Sequence, residues 1–233
     1  MKTLVLTGLI ATFAAGTASA DLLYTQSFED PDMLGTKYYD YGDVTTDHWL
    51  VNNPGEMAVD GNGFSAYYMN TGGVGLGDGD YFGVTDYTGG GIGSYNHGVQ
   101  GYQMSDVDGI VELHFDGYEG YADLVEVSIF IQATGWEAAD FLSFHYGDDD
   151  LTGGLAGDPW MWGEPELEAN GGVWLNLSFT PLSEGHFHIA FSSNSGSEVV
   201  TIDVVNIYGA AVPAPGALAL LGLAGLASRR RRK

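Results

Sequence analysis

The chain has 233 residues and no cysteine, and it contains 31 Asp and Glu residues against seven Lys and Arg. Residues 21–210 carry only one of those basic residues, Lys37, so this body has a formal charge of 1 − 31 = −30. So few cations cannot neutralise phosphates, which excludes nucleic acid as a partner. The acids either keep the protein soluble in a salty medium or, in part, collect calcium, and the two interpretations are compatible.

Residues 1–20 have the pattern of a secretory signal peptide. Lys2 precedes an apolar run from Leu4 to Ala15, and Ala18-Ser19-Ala20 forms a cleavage site of small residues. We expect signal peptidase to cut between Ala20 and Asp21, so that the mature chain begins outside the inner membrane.

Alternating apolar and polar residues dominate the body, and no stretch keeps the 3.6-residue period of an amphipathic helix. The clearest run, Leu124 to Gln132, places Val125, Val127, Ile129 and Ile131 on one face. Glycine-rich turns separate the runs. The pattern predicts an all-β fold, an antiparallel β-sandwich over residues 21–210 with no helices between its strands. The predicted strands are Leu22–Phe28, Ser65–Met69, Tyr81–Thr85, Val99–Met104, Gly109–Phe115, Leu124–Gln132, Phe141–Tyr146, Val173–Phe179, His186–Phe191 and Val199–Tyr208.

Acidic strings lie in the first and last strands. The first strand ends in Ser27-Phe28-Glu29-Asp30-Pro31, and the last contains Thr201-Ile202-Asp203-Val204. These strings resemble those of jelly-roll sandwiches in carbohydrate-binding and related extracellular modules. The resemblance implies that the two strands lie side by side and that Glu29, Asp30 and Asp203 share one structural calcium ion, a hard cation that takes oxygen ligands. Alternatively, Glu29 and Asp30 only open a turn before Pro31.

Aromatic residues give the main indication of a ligand. Trp160 and Trp162 follow Asp158-Pro159 in a stretch that we interpret as a loop, and Trp174 lies on the outward face of the next strand. Exposed tryptophan beside acids and amides suits stacking on sugar rings. The alternative is that these rings cap one end of the sandwich or pack under a loop.

Histidines His186 and His188 share the outward face of one strand because they are two residues apart. Such a pair can begin a zinc or copper site, but no third ligand is adjacent in the sequence. We therefore interpret them as facing solvent.

Motifs of catalysis are not found in the sequence. The chain has no cysteine, no G-x-S-x-G elbow and no basic residue in its body beyond Lys37 to clamp a phosphate. A glycosidase needs two opposed carboxylates, and Glu164, Glu166 and Glu168 indicate such a pair no more than other acids do. The sequence favours a protein that is not an enzyme.

The end of the chain reads Val212-Pro213-Ala214-Pro215-Gly216, then an apolar segment over 217–227, then a basic cluster over 229–233. An apolar segment before basic residues stops transfer with the basic residues in the cytoplasm. The segment is shorter than the about 20 residues that span a bilayer, which favours a temporary anchor over a permanent one. The cluster consists of Arg229, Arg230, Arg231, Arg232 and Lys233.

This tail, residues 211–233, resembles the PEP-CTERM sorting signal of Gram-negative bacteria, with Ala214 where the family has its glutamate. The resemblance implies an apolar helix over 217–227, processing near Pro213 and Pro215 by an exosortase in the inner membrane, and delivery to the cell surface or the extracellular matrix. A plain tail anchor is the alternative. Taken together, the sequence predicts an exported, non-enzymatic surface or matrix protein with a structural or adhesive role. A carbohydrate-binding module for exopolysaccharide is the second hypothesis, and a secreted hydrolase is the third.

Overall fold

The computed structural model describes residues 20–39, 45–52, 63–69, 75–77, 79–147, 155–156 and 161–210. The predicted sorting tail and all of the predicted signal peptide except Ala20 lie outside these residues. Within the described ranges, no helix has the length and apolar character that crossing a bilayer requires.

The regular secondary structure of the described chain is mainly β-strand, as predicted. Strand pairing is antiparallel throughout the described part. The strands are β1 (Asp21–Gln26), β2 (Tyr38–Tyr39), β3 (His48–Trp49), β4 (Val51–Asn52), β5 (Ser65–Met69), β6 (Tyr81–Thr85), β7 (Gly101–Ser105), β8 (Ile110–Tyr121), β9 (Leu124–Ile131), β10 (Phe141–Gly147), β11 (Leu155–Ala156), β12 (Met161–Gly163), β13 (Trp174–Pro181), β14 (Glu184–Ser192) and β15 (Val200–Gly209).

Two sheets form a sandwich. The first has the order β11-β13-β9-β15-β7-β6, and β1 pairs with the part of β15 that β7 leaves uncovered. The second has the order β12-β10-β14-β8-β5-β3. The expectation that the first and last strands lie side by side is confirmed, since Thr25 pairs with Asn206 and Gln26 with Val205.

The core lies between the sheets, where the predicted inward faces meet. Val125, Val127, Ile129 and Ile131 of β9 are buried, as the alternation predicted. On the facing sheet, β8 buries Val111, Leu113 and Phe115. The neighbouring strand β14 buries Phe187, Ile189 and Phe191. A period of two places every second side chain on one face, so burial of one face explains the sequence pattern.

One helix corrects the prediction of a body without helices. α1 (Glu164–Asn170) follows Gly163, has a proline in its first turn and carries Glu164 and Glu166 there, where acids favour the helix dipole. Glu166 accepts a hydrogen bond from the Gly163 amide at 3.2 Å, and Leu167 is buried. A helix of seven residues is too short to show a 3.6-residue period clearly.

Candidate functional site

The segment 86–100, which we call the crossing loop, lies over the outer face of the first sheet. Asn96 donates a hydrogen bond to the Ser128 hydroxyl at 3.0 Å, and the Trp174 indole donates to the Ile92 carbonyl at 2.9 Å. The Tyr95 hydroxyl donates to the Tyr87 carbonyl at 2.9 Å and to the Thr85 carbonyl at 3.0 Å, so it ties the middle of the loop to its start. These bonds fix the loop on the sheet.

Two carboxylates, Glu29 and Asp203, anchor the end of the crossing loop. Glu29 accepts hydrogen bonds from the backbone amides of Val99 and Gln100, each at 3.0 Å. Asp203 accepts one from the His97 amide at 2.6 Å. A carboxylate that accepts from backbone N–H groups satisfies donors that the loop would otherwise leave unpaired. The predicted partners Glu29 and Asp203 therefore do come together, and they hold the loop between them.

The backbone at position 98 passes so close to the Glu29 carboxylate that it requires glycine there. Gly98 has φ +70°, and a Cβ atom built there would lie 2.0 Å from the carboxyl carbon of Glu29. Any other residue would have to move the carboxylate and adopt a left-handed conformation.

The Asp203 side chain is fully buried, at 0% exposure. It lies at a shift in the register between β15 and β9, between Ile202 and Val204, where the extra residue of a bulge is free to turn its side chain. Its Oδ1 atom has no hydrogen-bond partner among the described residues. Burial raises the pKa of Asp203 to about 6, and the charge of Glu29 adds to the rise, against the hydrogen bond from the His97 amide.

The residues around Asp203 fit a cation in part. One ligand atom each from Glu29, His97 and Asp203 lies within 4.8 Å of the others, and Asp203 Oδ1 is a buried oxygen without a partner. Asp30 does not join them. Its carboxylate accepts from the Asp32 amide at 3.0 Å and caps the 3₁₀ turn Pro31–Met33, as the alternative interpretation of that acid held. Of the three predicted acids, Glu29 and Asp203 therefore lie together here, and Asp30 does not.

Beside the start of the crossing loop lies a groove with a cavity volume of about 500 Å³. Its walls come from β6, β7, the end of β9 and the connection that leads into β15, and none of its described lining residues is charged. The side chains with polar groups are Tyr81, Thr85, Tyr87, Gln103, Gln132 and Ser197.

Tyr87 presents its ring to solvent at this groove, with 51% of the residue exposed. The ring lies against Gly89, where a Cβ atom would be 2.1 Å from the Tyr87 hydroxyl oxygen. Tyr87 is thus an oriented, exposed aromatic ring between amide and hydroxyl side chains. No local motif in the sequence marks these residues, because four separate stretches of the chain bring them together.

Trp162 and Trp174, which were predicted to bind glycans, do not line this groove. Trp160 is outside the described residues. Trp162 is 2% exposed and packs edge-to-face on Phe144 because β12 pairs with β10, so its ring cannot stack on a sugar. Trp174 is half-buried against Phe130 and Tyr95 and supports the crossing loop from below. The alternative interpretation, packing under a loop, describes Trp174.

The prediction of solvent-facing histidines is wrong for His188. His188 does point away from the core, but it is 0% exposed because histidines of the neighbouring strands surround it. His186 is half-buried, with its ring centroid 6.3 Å from that of His188.

No protein-family model matches the chain, and no curated protein matches its sequence. Among solved structures it is similar to a Stig cyclase, Fisc from Fischerella sp. TAU, with 13% identity over 83% of this chain and 100% of that chain and a TM-score of 0.44. It is also similar to the K2 cleaved adhesin domain of Lys-gingipain, with 11% identity over 70% and 99% of the two chains and a TM-score of 0.41. A third structure, TmCBM61 in complex with beta-1,4-galactotriose, shares 12% identity over 55% and 81% and has a TM-score of 0.34. All three likenesses are distant, so the ligand of this chain has to be inferred from its own residues.

Proposed function

We propose that the body is a non-enzymatic, jelly-roll-like binding module that holds neutral polysaccharide in the groove beside the crossing loop. The observation that carries the proposal is the lining of that groove, which combines an exposed tyrosine ring with amide and hydroxyl groups and has no charge among its described residues. Aromatic faces stack on the apolar faces of sugars, and amides bond to hydroxyl groups.

Charge favours a neutral glycan over an acidic one. The body carries 1 − 31 = −30, and Lys37, its single basic residue, lies over the ring of Tyr81 at 5.6 Å from the centroid. Uronate or sulfate groups would be repelled by this negative charge, and Lys37 is the single Lys or Arg of the body that could pair with them. A polysaccharide of uncharged sugars does not incur that repulsion.

Affinity electrophoresis in gels containing neutral or acidic polysaccharides tests the proposal. We expect a neutral polysaccharide to retard the wild-type protein, and Tyr87→Ala to weaken that binding about tenfold, or ~1.4 kcal/mol. Tyr121→Ala is the matched control, because Tyr121 is an equally exposed tyrosine at the end of β8 and does not line the groove. No retardation in any gel, or equal weakening by both substitutions, would contradict the proposal. Incubation with the retained polysaccharide tests the hydrolase alternative, since it predicts shorter products.

Export and sorting belong to the same proposal. The signal-peptide pattern of residues 1–20 and the PEP-CTERM-like tail, with Val212, Pro213, Pro215 and the arginine cluster, support a protein that is held briefly in the inner membrane and then released to the surface. Signal peptidase and an exosortase-like enzyme would be its processing partners.

Mass spectrometry of the protein from membrane and medium checks this route. We expect an N-terminus at Asp21 in both fractions and a C-terminus near Pro213 to Pro215 in the medium alone. A cytosolic chain that keeps both ends would contradict it, and a membrane form with an intact tail would indicate the plain anchor.

Calcium is the proposed structural ion of Glu29 and Asp203. The unpartnered Asp203 oxygen supports it, as does the proximity of two carboxylates that need a counter-ion or a proton. When bound, the ion would neutralise these acids where they anchor the crossing loop.

A further inference from the structure

Three histidines form a row across the second sheet. His114 of β8 lies opposite His188 of β14, which lies opposite His145 of β10. The ring centroids are 4.1 Å apart for His114 and His188 and 4.6 Å apart for His188 and His145. Their strands turn these side chains away from the core, yet all three are buried. We call them, together with Glu112, the histidine cluster.

Glu112 lies at the centre of this cluster. Its Oε1 atom is 2.8 Å from Nδ1 of His188 and 2.9 Å from Nε2 of His145, and its Oε2 atom is 3.5 Å from Nε2 of His114. Burial alone would raise the pKa of Glu112, but the three imidazoles around it lower that pKa far below its usual range. The carboxylate is therefore ionised, with the three imidazoles as its partners.

The hydrogen-bonding inventory of the cluster is incomplete. An ionised carboxylate only accepts, so Nδ1 of His188 must carry the proton that it donates to Glu112. Burial lowers the pKa of His188, which favours the neutral form of its ring. Nε2 of His188 is buried without a hydrogen-bond partner among the described residues, whereas Nε2 of His114 and Nε2 of His145 lie beside the Glu112 carboxylate without the geometry of a hydrogen bond. Buried polar atoms of native proteins are rarely left in this state.

We propose that the histidine cluster binds one divalent transition-metal ion of the zinc class, with Glu112, His114 and His188 as its core and His145 beside them. One ligand atom from each of the core residues lies within 4.8 Å of the others. Imidazole nitrogen with one carboxylate is a ligand set that zinc accepts and calcium does not prefer. The ion would take the place of the proton between Glu112 and Nδ1 of His188, and it would bring a charge opposite to that of the buried carboxylate.

The ion would join the three central strands of the second sheet, β10, β14 and β8. Register alone places the ligands together, because directly opposed residues of adjacent strands have neighbouring Cβ atoms. In an exported chain without cysteine, such an ion would take the cross-linking role that disulfides have in other secreted domains.

Isothermal titration of the purified protein with Zn²⁺, in excess Ca²⁺ to occupy the Glu29 and Asp203 pair, tests the proposal. We expect one equivalent to bind, and His114→Gln or His188→Gln to weaken binding by at least about 10- to 100-fold. His186→Ala and His97→Ala are matched controls that remove histidines outside the cluster, and both should bind as the wild type does. Circular dichroism establishes that each variant is folded.

Cobalt provides a measurement that needs no variant. Co²⁺ added to the wild-type protein should give the intense visible absorption of a four-coordinate site, and Zn²⁺ should abolish it. Absence of both zinc binding and this spectrum would overturn the proposal and leave a buried ion pair only. Zinc binding that His97→Ala removes and His188→Gln does not would also overturn it, since the ion would then lie at the crossing loop.

Discussion

Replacing Asp203 with asparagine is expected to stabilise the calcium-free protein at pH 8, by about 1–3 kcal/mol of unfolding free energy. The folded protein raises the pKa of this buried carboxyl from 3.8 to about 6. It therefore binds the proton more tightly than the unfolded chain does, and this contribution to stability is complete below about pH 4 and is lost as the pH rises through 6. Asparagine keeps an oxygen for the His97 amide and directs N–H donors rather than a second charge towards Glu29.

Urea unfolding in EDTA between pH 4 and pH 8 measures this effect. The wild-type protein should lose stability over that range, with a smaller contribution of the same sign from Glu198, whose pKa burial raises to about 6. Asp203→Asn should flatten the profile. Asp123→Asn, which removes one charge at an exposed position, controls for the lower net charge of the variant.

We expect calcium to stabilise the wild-type protein but not the variants that lack one of the proposed ligands. At pH 8 it should raise the melting temperature of the wild-type protein, because a bound cation replaces the proton at Asp203. Asp203→Asn and Glu29→Ala should not respond. A wild-type protein that melts at the same temperature in calcium and in EDTA would remove the calcium site, and an Asp203→Asn variant that is less stable at pH 8 would contradict the whole description of this carboxylate.

Substituting Phe28 by alanine is expected to cost about 3–5 kcal/mol of unfolding free energy, among the largest effects of a single change. Phe28 is fully buried, and its ring centroid lies 5.4 Å from those of Phe64 and Tyr102 and 6.5 Å from that of Phe115. The backbone adopts φ +57° there, a costly conformation for a side chain other than glycine, which the packing of the ring has to maintain.

Phe28 also precedes Glu29, so its loss should release the crossing loop. The backbone amide of Phe28 donates to the Gln26 side chain at 2.8 Å, and its carbonyl accepts from the Gln100 side chain. Phe187→Ala is the matched control, because it removes a fully buried phenylalanine from β14 without touching the loop. Both variants should lose stability in urea, but Phe28→Ala alone should also lose the calcium response and polysaccharide binding. A loss below about 1 kcal/mol would contradict the role of this ring.

The alternation of apolar and polar residues along the chain made most of the fold predictable. A strand with one face in the core repeats every two residues, and this explains why β5, β6 and β9 could be placed closely and the inward residues of β9 named in advance. The strings around Glu29 and Asp203 also predicted a real contact, because the first and last strands pair. The role of these acids could not be predicted from the local sequence, because Glu29 accepts hydrogen bonds from backbone amides of a loop about 70 residues further along the chain.

Strand order and register determine the remaining features. His188 faces outward, as its position in the alternation predicts, but only the register of β14 against β8 and β10 surrounds it with His114 and His145. Trp162 belongs to a three-residue strand too short for a periodic signal, and its pairing with β10 buries it. The groove likewise draws its lining from strands distant in the sequence. These sites depend on contacts between segments, which composition and periodicity do not specify.

Hydrogen–deuterium exchange with and without the polysaccharide that retards the protein tests the central claim most directly, because it locates bound ligand without a substitution. The described geometry predicts slower exchange in peptides that cover residues 81–92 and the segment around Gln132, at the groove beside the crossing loop. Protection confined to other parts of the body, such as the surface around Trp174 away from Tyr87, or no protection at saturating polysaccharide, would contradict the proposed binding site.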